Sequence, residues 1–430
     1  MAPSSRTGAR RSSRAARREE LLRAAARVEV PSSVDVCVVG GGASGLVAAV
    51  CAAEAGAGVL VADAAPECGR TILATGNGRC NFSNVSLDLR RYNDPAFVGA
   101  VFGERPLDDI LGFFRDCGLR WGLEEDRLYP RSRRAASVRN VLLARLARSG
   151  AVVAAARAAL GARREPDRTL LRLSGVPEHG LDARLSCRSL VIACGGATQP
   201  WLGDLGLATR AAHPALCPVA CERDPLLALD GLRAPVALSL VSRRSGLPRW
   251  RERGEVLVRP YGISGIVSLN LSRRAAAGDT VLIDLAPDLS SSELRRLVDP
   301  RAHGRAARGG LDGVLDPELA ALLERRAKGD VEQLLALAKS YPLVVRGLAD
   351  QGHAQVSSGG LVTGQFAPDT LEARELPGVF ACGEALDVDA DCGGFNLSWA
   401  WKSGMVAGAA AAARALGRSR SHASGEEEGR

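Results

Sequence analysis

Residues 34–45 read VDVCVVGGGASG, and residues 59–63 read VLVAD. This pattern predicts a buried strand, a glycine turn, a helix, a second buried strand and an acidic residue directly after it. In such a unit Gly40 permits the tight turn, Gly42 lets backbone amides approach a pyrophosphate, and Gly45 lets the helix pack closely on the sheet. The spacing therefore predicts a dinucleotide-binding β-α-β unit rather than a plain glycine-rich loop.

The expected ligand contacts of this unit follow from its geometry. The helix begins at Ala43 and Ser44, where unpaired N–H groups and the helix dipole favour the negative charge of phosphates. Asp63, at the end of the second strand, is placed to accept hydrogen bonds from an adenosine ribose. The motif alone does not separate NAD from FAD.

Length and charge limit the class of protein. At 430 residues, with 46% hydrophobic and 24% charged residues, the chain is typical of a globular protein with two or more compact units. The net charge is +8, but residues 1–30 carry eight arginines and three glutamates and so supply five of these charges. We therefore expect no nucleic-acid partner. We also expect no membrane partner, because no apolar run outside Ala- and Gly-rich core elements has the length of a membrane span.

Cysteine and histidine usage argues against a metal centre. The eleven cysteines include no C-x-x-C pair, and the five histidines form no cluster with ligand-like spacing. Several cysteines lie inside apolar runs, where free thiols behave as small hydrophobic groups. This usage is typical of a reducing compartment, so we expect no metal and a cytoplasmic location.

Changes of composition along the chain predict its domains. The buried strand followed by glycines recurs at residues 189–196 and 378–384, which indicates one nucleotide-binding domain built from distant segments. The fold class is therefore α/β, a Rossmann-like nucleotide-binding domain with an inserted β-rich and helical domain. The predicted boundaries are 1–33 for a disordered basic leader, 34–200 and 351–415 for the two segments of the nucleotide-binding domain, 201–350 for the insert (β-rich 215–285, helical 291–349) and 416–430 for a disordered tail. With the resemblance described below, this domain is expected to be an FAD-binding domain.

A first candidate site loop follows the β-α-β unit, because ligands of open α/β sheets bind beyond the carboxyl ends of the strands. The alternative, a solvent-exposed turn, also favours Gly and Asn. We interpret the loop instead as a backbone cradle along a flavin and its phosphates, to which its arginines offer charge and hydrogen bonds. Its candidate cofactor-binding residues are Gly69, Arg70, Gly76, Gly78, Arg79, Cys80 and Asn81.

A second candidate loop follows the strand near residue 380. Glu384 can bind a ribityl hydroxyl, and Gly393 and Gly394 let backbone amides reach the edge of an aromatic ring. Residues 397–411 predict a helix whose N-terminus points at the N1 and C2=O side of a flavin. Asp387, Asp389 and Asp391 lack a downstream Glu at calcium-loop spacing, so we expect solvation or local hydrogen bonding there. The candidate cofactor-binding set is completed by Val153, Gly195, Gly383, Asn396 and Leu397.

Four motifs in order carry a resemblance to a known family. They read VGGGASG at 39–45, GNGRCNFSN at 76–84, YGISG at 261–265, and GEALD through GGFNL at 383–397. Over residues 34–411 the chain resembles the bacterial HI0933-like (BaiN-like) FAD-dependent oxidoreductases. Two departures are a threonine, Thr71, where the family pattern usually has lysine, and a stretch after Pro200 that lacks the usual Gly-Asp-Gly segment.

The resemblance implies a flavoprotein fold of the type with two dinucleotide-binding domains. It implies noncovalent FAD and an inserted domain with a barrel-like part and a helical part. Some members are described as NAD(P)H-dependent reductases of activated C=C bonds in bile-acid-like steroids, and others carry the name aminoacetone oxidase.

Three functions remain as hypotheses. The first is an FAD-dependent reductase that passes hydride from NAD(P)H through flavin N5 to a small hydrophobic substrate. No second G-x-G-x-x-G lies in a strand–turn–helix context, so we expect the nicotinamide nucleotide to dock transiently. Candidate catalytic proton donors are Tyr261 and Cys80, with Tyr129 as a further one. The second hypothesis is an oxidase of a small amine such as aminoacetone. The third is a flavin-bound interaction or nucleic-acid protein in which the Arg-rich leader is the functional part.

Overall fold

The computed structural model of this protein describes residues 5–196, 199–298 and 311–418. The chain divides into two compact units, one formed by Met1–His213 with Ser357–Arg430 and the other by Pro214–Val356. The sequence placed the corresponding boundaries at 200/201 and 350/351. Residues 419–430 of the predicted disordered tail lie outside the described residues.

The strands are numbered in chain order. They are β1 Ser33–Val39, β2 Val59–Ala62, β3 Ser83–Asn84, β4 Trp121–Glu124, β5 Arg127–Pro130, β6 Val152–Ala154, β7 Ala159–Arg164, β8 Thr169–Leu173, β9 Ala183–Ile192, β10 Thr209–Ala215, β11 Val219–Cys221, β12 Arg233–Val241, β13 Pro248–Arg259, β14 Gly262–Ser264, β15 Thr280–Asp284, β16 Tyr341–Leu348, β17 Val356–Leu361 and β18 Val379–Ala381.

The α-helices are numbered in the same way. They are α1 Ser5–Ala26, α2 Ala43–Glu54, α3 Arg70–Ala74, α4 Pro95–Phe102, α5 Pro106–Asp116, α6 Ala135–Arg148, α7 Ile266–Ser272, α8 Ser291–Val298, α9 Pro317–Ala327, α10 Val331–Lys339 and α11 Phe395–Ala415. None of the helices within the described residues has the length and apolarity that a membrane span requires.

The first unit is built on a seven-stranded sheet in the order β6-β2-β1-β9-β8-β7, with β18 also paired to β9. The strands β6, β2, β1, β9 and β18 run parallel, with Val36 opposite both Val59 and Ser189 and with Val379 opposite Leu190. Because these strands are buried on both faces, they read as continuous apolar runs. Their carboxyl ends lie along one edge of the sheet, where a ligand site is expected.

Helices α2 and α11 pack side by side at unusually short range. A Cβ atom added to Gly404 would lie 2.5 Å from the carbonyl oxygen of Ser44, and one added to Gly408 would lie 2.2 Å from that of Ala48. The matching order of these contacts makes the two helices parallel. Relative to this contact, α11 begins about eight residues, or about 12 Å, ahead of α2. Both N-termini therefore point in the same direction at different depths.

The structure corrects the prediction of a disordered leader, because residues Ser5–Ala26 form α1. Leu22 and Ala25 of this helix are buried in a small cluster with Ala156 and Val176. The apolar residues recur at helical spacing near the end of the segment, and their packing stabilises the helix. The arginine-rich composition of the leader concealed this short stripe.

The second unit contains a closed barrel in the order β11-β14-β13-β12-β15-β16. Its pairings are antiparallel, and α7 to α10 complete the unit. The helical prediction for 291–349 is wrong at Tyr341–Leu348, which forms β16 and closes the barrel. This strand alternates buried and more exposed residues over its first six positions, and that period of two outweighs the helical context. Residues 299–310 of the predicted helical segment lie outside the described residues.

Candidate cofactor-binding site

The glycines of the first turn are required for different structural reasons. A Cβ on Gly40, whose φ is +110°, would lie 2.2 Å from the carbonyl oxygen of Ala193, and one on Gly45 would lie 1.8 Å from that of Gly40. Both are needed for packing. Gly42 differs, since a Cβ there would meet only the hydroxyl of Thr71, at 3.5 Å. Gly42 precedes Ala43, and no side chain caps this end of α2 in the described structure, so its N–H groups remain available to an anion.

Asp63 lies directly after β2, as expected. Its carboxylate accepts a 2.6 Å hydrogen bond from the amide of Gly41 and a 2.7 Å bond from that of Ala65. Burial raises the pKa of Asp63, against the lowering effect of these two bonds. The carboxylate thus fixes the glycine turn, and each oxygen retains a lone pair for a ribose hydroxyl.

The segment 69–84 contains the short helix α3 and strand β3, with several left-handed residues before and between them. Gly69, Gly76 and Gly78 have φ values of +70°, +53° and +82°, and Cys80 has +56°. Glycine adopts this conformation at little cost, so the loop can follow a ligand closely with its backbone.

The two arginines of this loop have different surroundings. Arg70 is exposed, whereas the guanidinium of Arg79 donates to Glu124 at 2.6 Å and lies 4.5 Å from the ring centroid of Tyr129. The predicted contact of Arg79 with a flavin or phosphate therefore competes with an existing ion pair.

Asn81 and Cys80 lie next to the start of α11. The side-chain oxygen of Asn81 is buried and has no hydrogen-bond partner in the described part of the chain. It would lie 2.9 Å from a Cβ placed on Gly394, the residue before α11. An orphaned buried acceptor is costly unless a ligand donates to it. Cys80 is fully buried, and burial raises the pKa of its thiol to about 11.

Gly383 and Glu384 follow β18. The amide of Gly383 donates to Ser403 at 2.9 Å, and its carbonyl accepts from the indole of Trp399 at 3.0 Å. A Cβ on Gly383 would lie 2.3 Å from the hydroxyl oxygen of Ser44, so this turn packs directly on the start of α2. Glu384 is partly buried, and its carboxyl has no hydrogen-bond partner among the residues that the structure describes. Burial, with a smaller contribution from the charge of Asp389, raises its pKa to about 7.

The three aspartates after Glu384 are buried, so the expectation of solvation is wrong. Asp387 pairs with Arg210 at 2.6 Å, Asp389 accepts from Ser358 at 2.7 Å, and Asp391 lies 3.4 Å from Arg91. All three partners are distant in sequence, so the spacing of the aspartates gave no signal for them. These bonds hold the loop that leads into α11.

The start of α11 is fixed by backbone contacts. Gly394 has a φ of +96°, and a Cβ there would lie 2.6 Å from the carbonyl oxygen of Ser83. The carbonyl of Gly393 accepts a 3.0 Å bond from Asn84, and Asn396 donates and accepts at 2.8 Å with the backbone of Ala390. Gly393 and Gly394 therefore hold the N-terminus of α11 beside the 69–84 loop, and Leu397 lies in the first turn of α11, partly buried against the core.

The remaining predicted residues lie at the same edge or in the other unit. Val153 lies in β6 opposite Val61, and Gly195 follows β9 with a φ of +79° and open space where a Cβ would be. Tyr261 lies between β13 and β14 of the second unit, where its carbonyl accepts from the amide of Cys221 at 2.9 Å. No group of three or more metal-binding side chains occurs among the residues described.

These features fit FAD. The uncapped start of α2 suits a pyrophosphate, and the unpartnered carboxyl of Glu384 and the orphaned oxygen of Asn81 suit donors on a ribityl chain and a flavin ring. At Gly42 and Gly195, two of the predicted cofactor-binding glycines, the Cβ position faces open or nearly open space that a ligand can fill.

Comparisons with known proteins show which family the chain resembles over most of its length. The family model described as HI0933-like protein Rossmann domain matches residues 34–410. The 3-dehydro-bile acid delta(4,6)-reductase of Clostridium scindens is 33% identical over 414 residues, which cover 88% of this chain and 98% of that protein. The ribosomal RNA dihydrouridine synthase of Escherichia coli is 24% identical over 392 residues, 86% of this chain and 96% of that one.

A solved structure supports the fold. The open conformation of a flavocytochrome c3 fumarate reductase superposes with a TM-score of 0.50 at 15% identity, over 93% of this chain and 81% of that one. The predicted fold class, a Rossmann-like FAD-binding domain with an inserted β-rich and helical domain, is confirmed. The protein is an enzyme, an FAD-dependent oxidoreductase. The chain belongs to the HI0933-like family.

The raised pKa of Glu384 makes the free energy of unfolding of the apoprotein depend on pH, in a direction that can be tested. Its folded-state pKa of about 7 lies above the ordinary carboxyl value of 4.5, so the folded chain binds this proton more tightly than the unfolded chain. The free energy of unfolding should therefore fall as pH rises from about 4.5 to about 7, by up to about 3 kcal/mol. Urea unfolding of the FAD-free Glu384→Gln variant should show a smaller loss between pH 5 and 7 than wild type. Equal losses in both proteins would contradict the assignment.

Proposed function

We propose that this enzyme is an NAD(P)H-dependent reductase of a C=C bond conjugated to a carbonyl in a small hydrophobic, steroid-like substrate. The observation that carries the proposal is the 33% identity to the bile-acid delta(4,6)-reductase over 98% of that protein. The match extends across both segments that form the candidate FAD site, and it includes the inserted unit.

FAD, when bound, accepts hydride from a reduced nicotinamide and delivers hydride to carbon. The residues of this chain bind and orient the FAD. We assign the pyrophosphate to Gly42 and the start of α2, the adenosine ribose to Asp63, and the ribityl chain to Glu384. The flavin edge is assigned to Asn81 and the start of α11. There the positive end of the helix dipole favours negative charge.

Reduction of an activated alkene also requires a proton. Burial raises the pKa of Cys80 to about 11, so this thiol is protonated at neutral pH, but it is fully buried. Tyr261 is partly exposed and remains the better candidate donor. A Tyr261→Phe variant should then lower the rate of substrate reduction while leaving flavin reduction by NAD(P)H unchanged.

A second candidate substrate is uridine in RNA. The relatives from Escherichia coli and Haemophilus influenzae are both named ribosomal RNA dihydrouridine synthase, at 24% identity and with 96% and 95% of their lengths covered. Formation of dihydrouridine is also the reduction of a C=C bond next to a carbonyl. An enzyme acting on uridine would therefore catalyse the same type of reaction on a different acceptor. The identity to the bile-acid reductase, 33%, is higher than the 24% to the two dihydrouridine synthases and favours the steroid-like substrate.

The test supplies the purified flavoprotein with NADH or NADPH and one acceptor at a time. The acceptors are a 4-en-3-one steroid and uridine-containing ribosomal RNA, and the product is detected by mass spectrometry as a gain of two hydrogens. Free FAD at the same concentration serves as the control. We expect reduced steroid only with the protein present. Reduced RNA alone would select the second candidate, and peroxide from aminoacetone in air without either product would support an oxidase and refute the proposal.

A further inference from the structure

A cavity of about 490 Å³ lies beyond the end of β2 in the first unit. One wall is α1, which precedes the segment matched by the family model, residues 34–410. The other walls are the residues after β2 and two residues that follow β6 and β8. The lining residues of α1 are Arg17, Arg18, Leu21 and Leu22, and those of the other walls are Ala64, Ala65, Pro66, Glu67, Arg70, Ala156 and Pro177.

The cavity lies at the edge of the sheet where Asp63 ends β2. The amide of Ala156 donates to the carbonyl of Ala65 at 2.8 Å, and that of Arg157 donates to the carbonyl of Asp63 at 2.8 Å. These bonds join the floor of the cavity to the segment that carries the proposed ribose ligand. Ala64 and Ala65, which follow Asp63 directly in the chain, form part of the cavity wall.

The position of α1 is held by packing and by polar contacts. Leu22 and Ala25 are buried against Ala156 and Val176. Glu19, which does not line the cavity, bonds His179 at 2.9 Å. This anchoring places Arg17 and Arg18 along the cavity, where both side chains are exposed to solvent.

The charge of the cavity is positive. Its one acidic residue, Glu67, already accepts a 2.6 Å bond from Arg139, and Arg17 lies 4.0 Å from the same oxygen. Arg18 and Arg70 have no ion pair or hydrogen bond to any part of the chain that the structure describes. Exposed guanidinium groups with open donors bind phosphate and ribose oxygens well.

We propose that α1 is part of the cofactor site, with Arg17 and Arg18 binding the adenosine diphosphate half of FAD. The volume lies within the range of small-molecule sites. Its apolar walls, which include Leu21, Ala65 and Pro66, suit an adenine ring. This inference rests on the FAD assignment and adds a binding element that lies outside the family match.

The test measures FAD affinity and does not use turnover. Full-length apoprotein carrying Arg17→Gln and Arg18→Gln is titrated with FAD, followed by flavin fluorescence, and compared with wild type. We expect the Kd for FAD to rise about tenfold, with a similar rise in the inhibition constant of ADP as a competitor. The Kd for FMN, which lacks the adenosine half, should stay unchanged.

The matched control is Arg23→Gln on the same helix. Arg23 pairs with Glu19 at 2.9 Å and does not line the cavity, so this variant removes a charge without touching the proposed ligand. Its Kd for FAD should equal that of wild type. Unchanged FAD and ADP binding in the double variant would overturn the inference, as would a change confined to the KM for NADPH. If the wild-type protein binds FAD but does not reduce the steroid, the proposed function is refuted while the inference about α1 still stands.

Discussion

Replacing Gly42 by valine is expected to raise the Kd for FAD by at least about 100-fold while the apoprotein stays folded. The φ of Gly42 is −80°, and the space around its Cβ position is open except for the hydroxyl of Thr71 at 3.5 Å. A valine side chain at this position can therefore be accommodated in the apoprotein. It occupies the path by which the phosphates approach the start of α2, so steric overlap and lost charge-assisted hydrogen bonds add up to about 3 kcal/mol or more.

The measurement is FAD titration of the apoprotein together with its thermal unfolding. Gly112→Val provides a matched control, because Gly112 lies on α5 with no atom within 4 Å of its Cβ position. That variant should bind FAD as wild type does. Wild-type FAD affinity in Gly42→Val would show that the pyrophosphate does not lie at α2.

Replacing Gly408 by valine is expected to have the largest effect on stability. A Cβ at this position would lie 2.2 Å from the carbonyl oxygen of Ala48, and backbone cannot move aside as a flexible side chain can. The helices α2 and α11 would have to separate, and these are the two helices whose N-termini belong to the proposed FAD site. Overpacking of this kind costs about 1–3 kcal/mol in a core, and we expect about 3 kcal/mol here.

Urea unfolding of the apoprotein measures this loss. The control is Ala409→Val, one residue further along α11 and exposed, which adds comparable bulk on the outer face. It should change the free energy of unfolding by no more than about 0.5 kcal/mol. A Gly408→Val protein as stable as wild type would mean that the two helices do not pack at this distance.

Much of the first unit could be predicted from sequence, because its signals are local. The turn at Gly40 to Gly45 and the acidic residue at Asp63 are spaced as a β-α-β unit requires. The helical stripe of α1 was concealed by arginines, and β16 lies within a mostly helical segment. Both depend on tertiary packing, which overrides local composition.

The candidate site divides in the same way. Gly42, Asn81 and Glu384 could be singled out because glycines, amides and carboxylates follow strand ends. The bonds of Asp387 and Asp389 with Arg210 and Ser358 join segments far apart in the chain, which spacing cannot reveal. The ion pair of Arg79 with Glu124 also joins distant segments. It shows that a basic residue in a predicted ligand loop can already be paired with a carboxylate of the protein.

The proposed function requires that this chain hold FAD where the cofactor, when bound, would relay hydride from a reduced nicotinamide to an activated alkene. The most direct measurement is anaerobic rapid mixing of the flavoprotein with NADH or NADPH, followed by addition of a 4-en-3-one steroid. We predict that the visible flavin absorption is lost with one of the two nucleotides and returns when the steroid is added. A flavin that neither nucleotide bleaches, or that stays bleached in the presence of the steroid, would contradict the account.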